Sequence, residues 1–154
     1  MNGADYFLTI CTEAKSAGLT EPSVAEGIRQ VMQAMESDAT WSVRCAIIML
    51  DHAHFLITLG PRLALGRTIQ RLKAKTAACL RLCELQWERG FFDRKMRPDD
   101  DSLAVFLYIY LNPHRGGLIA RKEKWPHYYC GQNDWVWFST YLEHDLPPPE
   151  WLKR

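Results

Sequence analysis

The chain has no uninterrupted apolar run approaching the roughly 18 residues that a membrane-spanning helix needs, so no membrane contact is expected. Its first residues, "MNGADYFLTICTEA", lack the basic segment and small-residue cleavage site of an export signal, which makes a cytoplasmic protein the expectation. Cysteines are few and odd in number, at 11, 45, 79, 83 and 130, and their scatter argues against a disulfide framework. Cys79 and Cys83 lack a second Cys/His pair at zinc spacing, so free thiols in a reducing compartment are expected. No internal repeat is visible. A phosphoesterase built on two His-x-Thr/Ser motifs is also excluded, because none of His114, His127 and His144 begins one.

What is present is an ordinary globular composition, 47% apolar and 24% charged, in 154 residues that suit one domain with a real core. Net charge is only +1, but it is unevenly spread. Residues 1–60 carry 3 basic and 7 acidic side chains, 61–97 carry 10 and 3, and 98–154 carry 6 and 8. So basic a middle segment suits a phosphate-bearing partner, although basic helix faces are often merely solvated.

Periodicity predicts a strand over 6–12 and a helix over 19–37, with Thr20 as N-cap and Pro22 in its first turn. Strands follow over 41–50 and 52–60, joined by a tight connection at Leu50–Asp51. A long helix is expected over 64–87, a fourth strand over 89–97, and a helix from Ser102 that stops near Pro113. Asp99, Asp100 and Asp101 precede that last helix, where negative charge suits its dipole. The order β-α-β-β-α-β-α is an α+β, ferredoxin-like split-βαβ sandwich with an added C-terminal helix. From Gly116 onward the texture changes to an aromatic-rich tail holding four of the six tryptophans, expected to be irregular. The domain reading is 1–129 as one unit, with 130–154 as an extension packed on it.

The chemistry concentrates in "MLDHAHFLI". On a strand, His52 and His54 emerge on one face, where two imidazoles can share a divalent ion. A quiet pair of hydrogen-bonded core histidines is the alternative. A two-histidine site also needs a further ligand. Tyr108 and Asn112 share one face of the later helix, whereas Tyr110 points elsewhere. Asn112 can offer an amide oxygen to a hard cation such as Mg²⁺ or Mn²⁺, and Tyr108 can attack phosphorus. The competing reading makes Tyr108 core and Asn112 a helix cap before Pro113.

In order along the chain, "DHAHFLI", "WERGFFDRKMR", "YIYLNPHRGGLI" and "WPHYY" resemble the single-tyrosine HUH transposases, most closely the REP-associated tyrosine transposases (RAYT). The likeness runs from Tyr6 to about Tyr129. It implies a bacterial, nucleoid-associated enzyme that nicks and rejoins single-stranded DNA bearing hairpins. Tyr108 would form a 5′-phosphotyrosine link, with His52, His54 and Asn112 holding Mg²⁺ or Mn²⁺. A replication initiator or relaxase of the wider HUH class, and a DNA-binding module without catalysis, are the alternatives. Either a monomer or a homodimer that exchanges tyrosines fits the resemblance. Two departures stand out: Leu50–Asp51 replaces the usual Pro-Asn before the histidines, and His114 sits where a small apolar residue is more usual. For single-stranded DNA, Arg71, Lys73, Lys75, Arg89, Arg94, Lys95 and Arg97 are the candidate contacts. Trp87, Phe91 and Phe92 read as core.

Overall fold

The computed structural model describes residues 3–152. Five strands form one antiparallel sheet in the order β4-β1-β3-β2-β5, from β1 (Asp5–Cys11), β2 (Trp41–Ile48), β3 (His52–Leu59), β4 (Phe92–Lys95) and β5 (Tyr128–Cys130). The first four are the ferredoxin-like arrangement expected from the βαββαβ order, and β5 extends it at the β2 edge. Alternation along β1, β2 and β3 gives the sheet two apolar faces. One packs Leu8, Ile10, Ala46, Ile48, Phe55 and Ile57 under α1 (Pro22–Ser37) and α2 (Leu65–Arg81). Gly27 lets those two helices approach closely, since a Cβ there would lie 2.7 Å from the Cys79 sulfur. The other face sets Cys45, Ile47 and Leu56 against α3 (Ser102–Arg115) and α4 (Gln132–Phe138).

Several boundaries depart from the sequence reading, each for a local reason. Helix α1 starts at Pro22 with Glu21, not Thr20, in the cap position. Helix α2 ends at Arg81 rather than continuing to Trp87. Glu84 takes a left-handed φ of 58°, and the Leu85 amide returns to the Leu80 carbonyl, a C-terminal stop that periodicity does not reveal. Residues 86–90 then fold back on α2. Trp87 donates its indole N–H to Thr76, Lys73 reaches the Glu88 carbonyl at 2.9 Å, and Thr12 bridges to Trp87. Strand β4 is correspondingly short.

Helix α3 begins on Asp101, whose carboxylate accepts from the Leu103 and Ala104 amides. It passes through Pro113 and ends at Arg115, with Gly116 as C-cap. Pro113 has no N–H for the Ile109 carbonyl, yet the helix continues to Arg115 and closes with the Gly116 amide on the Asn112 carbonyl. Asn112 is therefore inside the helix and not its cap.

The tail is more ordered than its composition suggests. The Ile48 amide donates to the His127 carbonyl, Trp125 donates its indole N–H to the Ile48 carbonyl, and β5 pairs with β2. Arg44 fastens this layer. It sits at a bulge in β2, stands 5.3 Å over the Phe106 ring, and donates to Asp5 (2.9 Å) and Asp134 (2.8 Å). Replacing it with Met keeps the apolar stem but strips charge-assisted bonds from β1 and α4. We expect Arg44→Met to lose about 1–3 kcal/mol in denaturant unfolding, with faster proteolysis of the tail. Unchanged stability would mean the two carboxylates are equally well served by water.

Candidate active site

The histidine face is built by register. Thr9 of β1 pairs with His54 and Cys11 with His52, so all four side chains share one face. Across the sheet Ile47 of β2 lies beside His54. The hairpin turn ahead of His52 is pinned by its backbone. The Met49 amide binds the His52 carbonyl, the Gly18 and Leu19 amides bind Leu50, and the Thr12 amide and hydroxyl bind the Asp51 carbonyl.

Helix α3 lies over β2 and β3 and brings Tyr108 to this face. The Tyr108 ring stands edge-on to His54 with centroids 5.4 Å apart, and His54 and His52 are 4.8 Å apart. Phe7 completes the cluster, stacked on His54 at 5.4 Å and edge-on to Tyr108 at 5.8 Å. Tyr108 remains 49% exposed, which leaves the residue open to a large substrate. Tyr110 is the opposite case. It is buried, donates its hydroxyl to the Asp145 carbonyl at 2.6 Å, and is pushed up to about 12 by desolvation and by Asp145. Asn112, one turn beyond Tyr108 on the same helix, is half-buried.

Both imidazoles suit a cation. Asp51 accepts from Nδ1 of His52 at 2.7 Å. A carboxylate can only accept, so the proton of neutral His52 is on Nδ1 and Nε2 keeps its lone pair. Thr9 Oγ1 lies 2.9 Å from Nδ1 of His54, and when the hydroxyl accepts there Nε2 is left with its lone pair, as in His52. Burial lowers His54 to about 3, with a further push from His52, so protons do not compete for its lone pair at neutral pH. Among the described residues no group of three or more His, Cys, Asp and Glu side chains is placed to hold a metal ion. A complete coordination shell therefore needs Asn112, water or substrate oxygen.

Asp51, the unexplained departure in the sequence, thus has a place as the orienting partner of His52. Outer-shell carboxylates of this kind typically govern metal affinity by about 10- to 100-fold. We expect Asp51→Ala to weaken Mn²⁺ binding by about that factor, and Asp51→Asn, which can still accept at Nδ1, to lose less. Equal affinity in all three proteins, by calorimetry, would leave Asp51 a turn residue only. The other departure, His114, lies away from the site beside Tyr110 and reaches the Glu123 carbonyl at 3.2 Å.

The candidate DNA contacts do not gather in one place. Arg71, Lys73 and Lys75 ride on α2, across the sheet from the histidines. Arg71 lies 3.5 Å from Asp38, Lys73 holds the 88–90 loop, and Lys75 is exposed. Arg89, Arg94, Lys95 and Arg97 are exposed along the β4 edge, where Arg94 also meets Asp100 at 3.1 Å.

Fold and sequence comparisons define the class, a transposase. The chain resembles the solved structure of a REP-associated tyrosine transposase bound to a REP hairpin, with TM-score 0.69 and 20% identity over 83% of this chain and 77% of that one. A second likeness is to a protein described as a transposase from Deinococcus radiodurans R1, with TM-score 0.52 and 13% identity over 75% of this chain and 91% of that one. No curated protein matches in sequence. Within the class, the chain belongs to the IS200-like transposases. The family model matches residues 1–96, which include His52 and His54 and end before Tyr108.

Proposed function

We propose that this transposase is a metal-dependent, single-tyrosine enzyme of the HUH type that cuts and rejoins single-stranded DNA carrying hairpins. The observation that carries the proposal is the packing of the half-exposed Tyr108 ring against His54, beside His52 and within one chain. Tyr108 Oη attacks the scissile phosphorus and gives up its proton. The P–O(tyrosine) bond forms, the P–O3′ bond breaks, and the departing oxygen takes up a proton to become a 3′-hydroxyl. Phosphoester is exchanged for phosphoester, so a 3′-hydroxyl can later attack the tyrosyl phosphate and restore the DNA bond. His52 and His54, with Asn112 as a third donor, would hold a Mg²⁺ or Mn²⁺ ion, which would supply Lewis-acid polarisation of the phosphate. Phe7 and Thr9 hold the His54 ring in place for this task. The hairpin-bound REP-associated relative supports hairpin DNA as the substrate class.

The test is a denaturing gel with a hairpin bearing a single-stranded tail. A 3′-end label should become covalently attached to the protein in Mg²⁺ or Mn²⁺, a 5′-end label should not, and chelation should abolish the adduct. An adduct carrying the 5′ label would reverse the assigned polarity. No adduct with any tailed hairpin, despite tight binding, would mark the chain as a DNA-binding module.

A further inference from the structure

Residue type alone puts Phe92 in the core; the structure puts it on the surface, 60% exposed, at the sheet edge. Its partner in the ladder is Thr9, whose hydroxyl touches His54, so Phe92 lies on the histidine face and in the same cross-strand row. Arg94 pairs with Phe7 and lies on that face as well, one row along. Phe91 instead packs with the apolar residues under α1 and α2. Helix α3 covers β2 and β3, while all four β4 residues are exposed. The face thus continues past Tyr108 and His54 into an open strip ending in an aromatic ring and a guanidinium. Two strand spacings, about 10 Å, separate β4 from β3, which brings the strip within reach of a nucleotide next to the one being cut.

Building on the proposed single-stranded substrate, we infer that Phe92 is a stacking platform for an unpaired base beside the scissile phosphate, with Arg94 on the adjoining backbone. An exposed phenyl ring flanked by cations matches what a single strand presents, a π-face alternating with a phosphate. Arg89, Lys95 and Arg97 make the surrounding edge basic. Asp93 pairs with Leu8 and so belongs to the opposite face, while Asp100 is half-buried, held by the Arg97 amide, and meets an exposed Arg94 guanidinium that stays open to a phosphate. A base inside a duplex has both faces covered by its neighbours and cannot use the ring.

The test compares a fluorescent hairpin carrying an oligothymidylate tail with the same hairpin lacking it. Phe92→Ala should weaken binding of the tailed hairpin about 5- to 150-fold and leave the blunt hairpin unchanged. Phe92→Trp should restore tail binding, and a 2-aminopurine in the tail should be quenched by wild type but not by Phe92→Ala. Because the ring is exposed, both variants should unfold as wild type does. Equal affinity of Phe92→Ala and wild type for the tailed hairpin would overturn the platform while leaving the enzyme reading intact. A wild-type protein with no preference for the tail would remove the single-stranded substrate itself, and the platform with it.

Discussion

Tyr108→Phe is expected to abolish the covalent protein–DNA adduct, with a loss of about 10³-fold or more, while leaving binding of the tailed hairpin within about twofold. The change deletes one hydroxyl from a half-exposed ring and preserves its edge contacts with His54 and Phe7, so unfolding should shift by less than about 0.5 kcal/mol. That separation of chemistry from folding makes the variant decisive. The matching control is Tyr110→Phe. Its hydroxyl is bound to the Asp145 carbonyl in a partly buried contact, and its loss should lower stability by about 1 kcal/mol without removing the adduct. Were the adduct to survive in Tyr108→Phe and vanish in Tyr110→Phe, the nucleophile would be the wrong one of the pair.

Helical rotation alone already separates these two tyrosines, and period-2 alternation alone places His52 and His54 together. The succession of the main elements along the chain and the two faces of β1, β2 and β3 likewise follow from long, strongly patterned segments, where burial dictates residue type over many positions. Other features rest on single contacts that leave no periodic trace. The end of α2 depends on one left-handed residue, Glu84, and on a Trp87–Thr76 hydrogen bond that a helical pattern runs straight past. The order in the tail comes from a three-residue strand and a seven-residue helix, too short for periodicity and held by partners far away in sequence, Arg44 and Ile48. Register explains the rest. Phe92 acquires meaning only when β1 aligns it with Thr9, and nothing in a single strand states its neighbour, whereas Asp51 depends on the rotamer that bonds it to the next residue, His52.

The larger of the remaining effects concerns the histidines. His52→Ala and His54→Ala should each lower divalent-dependent adduct formation by more than the 10- to 100-fold typical of outer-shell partners, so about 10²-fold or more. The two should differ in their side effects. His54 is 4% exposed, stacked on Phe7 and bonded to Thr9, so its truncation opens a hole and should cost about 1–3 kcal/mol. His52 is more exposed and should cost less, which makes His52→Ala the cleaner probe of metal dependence. Mn²⁺ binding by calorimetry reads the ligand role without any turnover; undiminished affinity in both variants would show that the imidazoles are not ligands. The same variants decide whose tyrosine acts. Tyr108 reaches the histidines of its own chain, so mixing Tyr108→Phe with His52→Ala should restore no adduct. Recovery in the mixture would require the tyrosine helix to be exchanged between two copies. Without recovery, nucleophile and metal ligands belong to one chain, and a monomer suffices for the cut.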